Sequence, residues 1–485
     1  MCVLSEFNED TIRELFGHEA AEDEKVERLK EYYLKTDVYQ KLKSKIPFYL
    51  LVGHKGVGKS ALLKVLEEED IAANDIAITI RPDDIEGISE KGISMLKKIT
   101  IWKEGLADII LEKIQSYLSR SMAQKINVPK SIIDSIRSII SEKAGFSIKK
   151  DAAMDLFMND FFKEKKVCIY IDDLDREWKN TQEDIENLSA LLNAVRDLNR
   201  IFNTLKFRIG LRSDVYYSVR TSDETTDKID GSVIWLRWSN HEILVMLIKR
   251  INSFLKKDIN EQLLLKMEQY KLSFYLDDIF EDTFKGVGQW RNVRMYKVLM
   301  SMIRRRPRDL VKLCTLAARK AAEKNHKKIM TDDLKDIFSQ YSQDRLRDTC
   351  NEYSSELQNI EEFLLNMKPT KKEIKEGHPC KFSRAELISK IKNIQQMVRL
   401  NFRGTNVVTP QMVAAFLYKI NFITARKETD KGIQRIYYDE NRYIYNEFAD
   451  FGYDFEIHPA YRWALQPDTI NDLFDRIQMD ENVGK

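Results

Sequence analysis

The chain has 485 residues, with 79 Lys+Arg against 77 Asp+Glu, a formal net charge of +2 and 43% hydrophobic residues. That much apolar material excludes a disordered chain, and 17 glycines and 9 prolines are too few for a collagen-like, linker-rich or many-turn all-β protein. The length suggests about three domains at roughly 150 residues each, and the near-zero charge gives no global argument for nucleic-acid or membrane binding.

Residues 6–45 carry Leu15, Phe16, Val26, Leu29, Tyr33, Val38 and Leu42 at helical spacing, which predicts helices. Ile46–Val52 (IPFYLLV) is a short apolar run of the kind a buried parallel strand shows. A Gly-rich turn, a helix over Ser60–Glu68 and a second strand over Asp75–Ile80 follow. Residues 93–120 and 131–163 read as mostly helical, broken at Pro129. Val167–Ile171 is another buried strand, ending in acids. Thr181 and Asp184 form a capping box for a helix with apolar residues at Ile185, Leu188, Leu192, Val195, Leu198 and Phe202. Phe207–Leu211 and Ser232–Leu236 are two further strands. Strands separated by helices in this order predict a parallel α/β sheet.

From about residue 240 to 365 the pattern is helical. Residues 366–381, with two prolines and many charges, read as a linker. Within 382–466, helices precede two β-like stretches around Asn421–Ala425 and Gln434–Tyr438, which suggests a winged-helix module. The last eighteen or so residues are polar and are expected to be loose. Cys2, Cys168, Cys314, Cys350 and Cys380 are widely spaced without a CxxC, so neither a disulfide framework nor a zinc site is expected. The acidic N-terminus lacks the apolar stretch of a signal peptide, and no run approaches about 18 apolar residues. These features predict a soluble cytoplasmic protein with no membrane contact.

Gly53-His54-Lys55-Gly56-Val57-Gly58-Lys59-Ser60 matches G-x-x-x-x-G-K-[ST] between a predicted strand and a predicted helix. Glycines let successive backbone N–H groups face phosphates, and the helix that follows presents its positive end to the same anions. Residues 53–60, with Ala61 beside them, are therefore candidate ATP-binding residues. Lys59 is placed to reach the β- and γ-phosphates, and the Ser60 hydroxyl to ligate Mg²⁺. The strand ending in Asp172-Asp173-Leu174-Asp175-Arg176 supplies the second half: Asp172 as a metal ligand, Asp173 to polarise the attacking water. Phe207–Asp214 ends a strand in Arg212, the candidate for sensing the γ-phosphate. Arg308, in Arg304-Arg305-Arg306-Pro307-Arg308-Asp309-Leu310, is a candidate to reach the nucleotide from the helical segment. Arg220 and Arg176 are candidates for an arginine acting on a neighbouring subunit.

Together GHKGVGKSALL (53–63), YIDDLDREW (170–178), LRSDVY (211–216), RRPRDLVKLC (305–314), YSQDRLRD (341–348) and IHPAYRWAL (457–465), with FGHEAAEDEKVERLKEYYLKTDVY (16–39), resemble a bacterial P-loop ATPase family related to the KAP and STAND NTPases. The resemblance runs from about residue 15 to 466. It implies an additional-strand, AAA+/STAND-like P-loop NTPase core with N-terminal helices over 1–238, a helical lid over 239–365 and a winged-helix-like domain over 382–466. It implies the same roles for Lys59, Ser60, Asp172, Asp173, Arg212 and Arg308, with ATP and Mg²⁺ as cofactors. His54 departs from the Arg usual in the family, and the membrane-spanning insertions of KAP proteins have no counterpart. Several members of the lineage serve anti-phage defence. The chain is therefore expected to be an ATP-hydrolysing switch or assembly protein, forming homo-oligomers and working with a separate effector such as a nuclease.

The alternative is a DNA-binding, initiator- or loader-like ATPase. Residues 301–330 hold ten bases and two acids, and 381–403 six bases and one acid. Such segments could contact nucleic-acid phosphates, or meet the acidic residues 1–31 (ten acids, four bases) or a neighbouring subunit. Residues 430–460 hold seven acids and three bases, which makes the expected wing a poor DNA reader. The remaining histidines show no metal-ligand spacing, and Trp235, Trp238 and Trp290 read as core.

Overall fold

The computed structural model describes residues 6–19, 23–89, 91–122, 166–202, 204–222, 229–402, 407–429, 432–441, 444, 452–466, 477–480 and 482–483. The helix expected over 131–163 lies outside them. The chain divides into a sheet unit, Lys25–Lys30 with Lys35–Leu236, and a helical unit, Met1–Glu24, Glu31–Leu34 and Arg237–Lys485.

In the sheet unit, apolar runs bounded by turn residues form five parallel strands: β1 (Phe48–Gly53), β2 (Ile76–Ile80), β3 (Val167–Ile171), β4 (Leu205–Arg212) and β5 (Val233–Trp235). Their spatial order is β2-β3-β4-β1-β5. β4 therefore lies between the strand that precedes the Gly-rich loop and the strand that ends in Asp172, which is the additional-strand P-loop arrangement. The register pairs Gly53 with Arg212 and Ile171 with Ile209. Leu50, Val52, Ile78, Ile169, Ile171, Phe207 and Ile209 are fully or nearly fully buried, each contributing about 1.5–3 kcal/mol on leaving water. The helix Gln182–Ile201 starts at the expected capping box, with the Asp184 N–H donating to Thr181 Oγ1 at 3.1 Å and the Thr181 N–H to Asp184 Oδ2 at 2.9 Å. Its Leu188, Leu191 and Val195 join Leu106 and Ile110 of the helix Met95–Met122 in the same core. Arg208 is buried and donates to the carbonyls of Leu42 (2.7 Å) and Ser44 (3.0 Å), satisfying the end of the helix Asp37–Lys43.

The helical unit contains the helices Glu9–Phe16, Asn240–Phe254, Met295–Met302, Pro307–Glu323 and Thr331–Tyr353. The 240–365 segment is not wholly helical, because Thr283–Lys285 and Arg291–Arg294 pair as a short hairpin. Pro307 occupies the first turn of its helix, where its missing N–H costs nothing. Asp309 is 1% exposed and binds Arg304 through both oxygens (2.7 and 2.8 Å) and Arg345 at 2.7 Å. Burial alone would raise its pKa; the surrounding guanidinium charges hold it well below the usual carboxylate range.

The basic segment 301–330 meets acids within its own unit. Arg306 pairs with Glu352 and Arg305 with Glu440; Lys312 pairs with Glu19 and Asp344, and Arg319 with Glu9. Two of these partners, Glu9 and Glu19, lie in the acidic N-terminal segment. The segment 366–381 is not a bare linker. The helix Lys371–Lys375 is capped by Thr370, and buried Lys390 bonds both Glu373 and the Lys368 carbonyl.

C-terminal to it, the helices Arg384–Gln395 and Pro410–Lys419 precede an antiparallel hairpin, Ile423–Thr429 with Gly432–Ile436. Asp454–Ile457 pairs with the outer side of the first hairpin strand and continues to Lys381–Phe382. Among the described acids of this region, Glu456 is buried against Arg435 (2.5 Å) and Arg462 (2.8 Å). The chain end is also not loose where it is described. Ile477 and Val483 are buried, the Ile477 carbonyl accepts from Trp290 Nε1 at 2.7 Å, and the Gln478 carbonyl from Arg435 at 2.7 Å. Trp290 is fully buried and its indole N–H requires an acceptor, which the tail supplies. No described helix is long and apolar enough to cross a membrane.

Candidate functional site

The loop 53–60 leaves the carboxyl end of β1. Gly56 (φ 80°) and Gly58 (φ 93°) take left-handed backbone, which glycine adopts without a Cβ penalty. At Gly53 a Cβ would stand 2.8 Å from Val57 Cγ2 and 3.1 Å from the Leu236 carbonyl. Gly58 is the N-cap of the helix Lys59–Ala72 and supplies no side-chain cap, so the first turn offers its N–H groups and its dipole to an anion. Val57 and Ala61 are buried and anchor the loop; Lys55 is exposed. Lys59 Nζ turns into the loop and donates to the carbonyls of Gly53 (3.0 Å) and His54 (3.2 Å). His54 is buried, with Nδ1 3.1 Å from Ser213 Oγ, so its ring ties the loop to the residue after β4 rather than reaching outward.

Asp172 follows β3 and sits over β4. Burial pushes its carboxyl up to about 6; the Ser60 hydroxyl, which hydrogen-bonds it, opposes this, the Asp173 charge adds to it, and Lys59 opposes it. A Cβ at Gly210 would come 2.4 Å from Asp172 Oδ1, so only glycine in β4 leaves room for this carboxylate. Asp173 takes φ 59°, a conformation few non-glycine residues adopt. Burial and neighbouring Asp175 raise its pKa, while Lys59, Arg176 and Arg81 oppose. Arg212 ends β4 beside Gly53, its side chain 12% exposed and bonded to Asp214 and Asp175. Lys59, Ser60, Asp172, Asp173 and Arg212 thus gather at the carboxyl ends of three adjacent strands, where ligands of open α/β sheets bind.

These residues fit a magnesium–nucleotide. The glycine loop has the left-handed turns of a phosphate cradle, a lysine is held at it, and a hydroxyl and a carboxylate suited to Mg²⁺ already touch. Arg308 belongs to the helical unit, where its Nε donates to the Glu19 carbonyl at 3.1 Å. Arg220 is engaged by Asp230 through both oxygens, whereas Arg176 is 66% exposed, 3.6 Å from Asp83. Gly210 was not singled out from the sequence, and Ser213, Asp214 and Asp175 stood in the motifs without an assigned role. A glycine inside an apolar strand was the available signal for Gly210; the others depend on strand order.

Residues 241–350 match the family described as the FunZ-associated C-terminal helical domain. No curated protein matches the chain. Among solved structures, the chain is similar to the ORC2 protein of Aeropyrum pernix in its ADPNP–ADP complexes, at 12% identity over 92% of this chain and 98% of that one (TM-score 0.40). It is similar to Cdc6p from Pyrobaculum aerophilum at 12% identity over 88% of each chain (TM-score 0.30). It is also similar to the RuvB Holliday junction branch migration motor of Thermotoga maritima, at 11% identity over 85% of this chain and 94% of that one (TM-score 0.32).

Proposed function

We propose that the chain binds ATP with Mg²⁺ and hydrolyses it. The observation that carries this reading is the contact between the Ser60 hydroxyl and the Asp172 carboxylate beside a lysine-bearing glycine loop. In this reading residues 53–61 cradle the phosphates and Lys59 holds charge against them. Ser60 and Asp172 hold Mg²⁺, which supplies neutralisation of phosphate charge. Asp173, the carboxylate next to Asp172, accepts the proton of the attacking water. Arg212 donates toward developing negative charge. For Arg308 the reading rests on its motif alone.

The finer reading is a switch or assembly protein of bacterial anti-phage defence, homo-oligomeric and acting with an effector such as a nuclease. It rests on the resemblance to KAP- and STAND-related ATPases. The initiator-like alternative has less support. The basic segment 301–330 is largely matched by acids, and Val413 to Lys419 of the helix that would enter a DNA groove are buried.

Calorimetric titration with ADP and a non-hydrolysable ATP analogue, with Mg²⁺, tests the reading. Wild type should bind both, and Lys59→Ala should lose binding by at least about tenfold, the loss of one charge-assisted contact to phosphate. Equal binding by Lys59→Ala would remove the phosphate role from this loop.

A further inference from the structure

At the end of β4 the Arg212 guanidinium is shared between two carboxylates. Nε (3.0 Å) and Nη2 (2.5 Å) bond the two oxygens of Asp214. Nη1 bonds Asp175 at 3.2 Å. The two partners differ in kind. Asp214 is buried, grips through both oxygens and sits in the first turn of the helix Ser213–Ser222, where a negative charge is favoured. It fixes the plane of the guanidinium. Asp175 makes a single longer bond, is 22% exposed and lies in the loop that follows β3. That loop carries three non-glycine residues in left-handed backbone, Asp173, Glu177 and Asn180 (φ 59°, 61° and 55°). Such a backbone is held by its contacts rather than by its own preference. The Asp175 carbonyl in turn accepts from the Trp178 N–H at 3.1 Å, and the Trp178 ring packs on the core.

Arg212 pairs in register with Gly53, so Nη1 lies at the strand end from which the phosphate loop departs. We propose that Asp175 is the exchangeable partner of Arg212: it holds Nη1 until the terminal phosphate of a nucleoside triphosphate takes that nitrogen. Its release then lets the loop 173–180 register whether a triphosphate or a diphosphate is bound. Asp214 is a positioning residue that keeps Arg212 in place through the exchange. A diphosphate lacks the group that competes for Nη1 and leaves the Asp175 bond intact. The inference rests on the ATP-site reading above and adds to it a device that discriminates triphosphate from diphosphate.

The test titrates full-length wild type, Asp175→Asn and Asp175→Glu with Mg²⁺ and either ADP or a non-hydrolysable ATP analogue. Asp175→Asn should bind the analogue roughly three- to tenfold more tightly and ADP within about twofold of wild type, because a charged competitor for Nη1 has become neutral. Asp175→Glu should return the ratio toward wild type. Trp178 fluorescence, taken as the difference between wild type and Trp178→Phe, should change with the analogue and not with ADP. In Asp175→Asn that selectivity should vanish. An unchanged analogue-to-ADP ratio in folded Asp175→Asn overturns the exchange and leaves the ATP site standing, whereas wild type binding neither nucleotide overturns the ATP site itself. Were Asp175→Asn to misfold, the Trp178 response of wild type would decide: the same response to both nucleotides overturns the proposal.

Discussion

Gly210 determines whether Asp172 can stand where it does. It pairs with Leu51 in the middle of the sheet, and the carboxylate of the next strand occupies the space its side chain would fill. Gly210→Ala should therefore displace Asp172 and cost about 1–3 kcal/mol of stability. Mg²⁺-dependent nucleotide binding should fall more than Mg²⁺-independent binding, which titrations with and without Mg²⁺ would resolve. Glu456 offers a second test at this scale. Burial alone would raise its pKa, but Arg435, Arg462 and Arg426 lower it to about 2, against an ordinary value of 4.5. A carboxylate depressed on folding stabilises fully above its unfolded pKa and loses that stabilisation as pH falls through the folded one. The window is thus pH 4.5 down to 2, worth about 3 kcal/mol. Glu456→Gln should lower stability at pH 7 by about 3–5 kcal/mol, since buried arginines lose their counter-charge, and should flatten the acid limb in denaturant melts across that window. The phosphate-loop residues were legible because their pattern is local, eight consecutive positions between a strand and a helix. Gly210, Asp214 and Asp175 were not, because their roles arise from β4 lying between β1 and β3.

The five strands of the sheet unit were legible as apolar runs, and their ends fall within a few residues of expectation: the run Ile46–Val52 became Phe48–Gly53, and Phe207–Leu211 became Leu205–Arg212. Thr181 marked its helix start because a capping box is a four-residue signal. Contacts from distant partners are the part that composition does not show. The polar tail looked free in composition, yet Trp290, nearly two hundred residues earlier, takes its carbonyl. The charged segment 366–381 looked like a linker, yet Lys390 holds it through Glu373. Trp290→Phe keeps the ring and removes the N–H donor, leaving the Ile477 carbonyl without that bond. It should cost about 1–3 kcal/mol and should speed proteolytic clipping near the C-terminus. Clipping at the wild-type rate with unchanged thermal melting would separate the tail from this indole.

For the whole chain, the formal charge of +2 is a sum of matched local excesses. Of the ten bases in residues 301–330, Arg319, Lys312, Arg306 and Arg305 pair with Glu9, Glu19, Glu352 and Glu440, and three arginines surround Glu456. Charge segregated along the sequence is thus offset in part by ion pairs within the helical unit. In the proposed reading this site hydrolyses ATP with Asp173 as the proton acceptor. The most direct measurement is steady-state ATP turnover by Asp173→Asn alongside its affinity for ATP. Affinity should stay near that of wild type and turnover should slow by about 10²–10⁴-fold. Turnover at the wild-type rate by a folded, ATP-binding Asp173→Asn variant would contradict it.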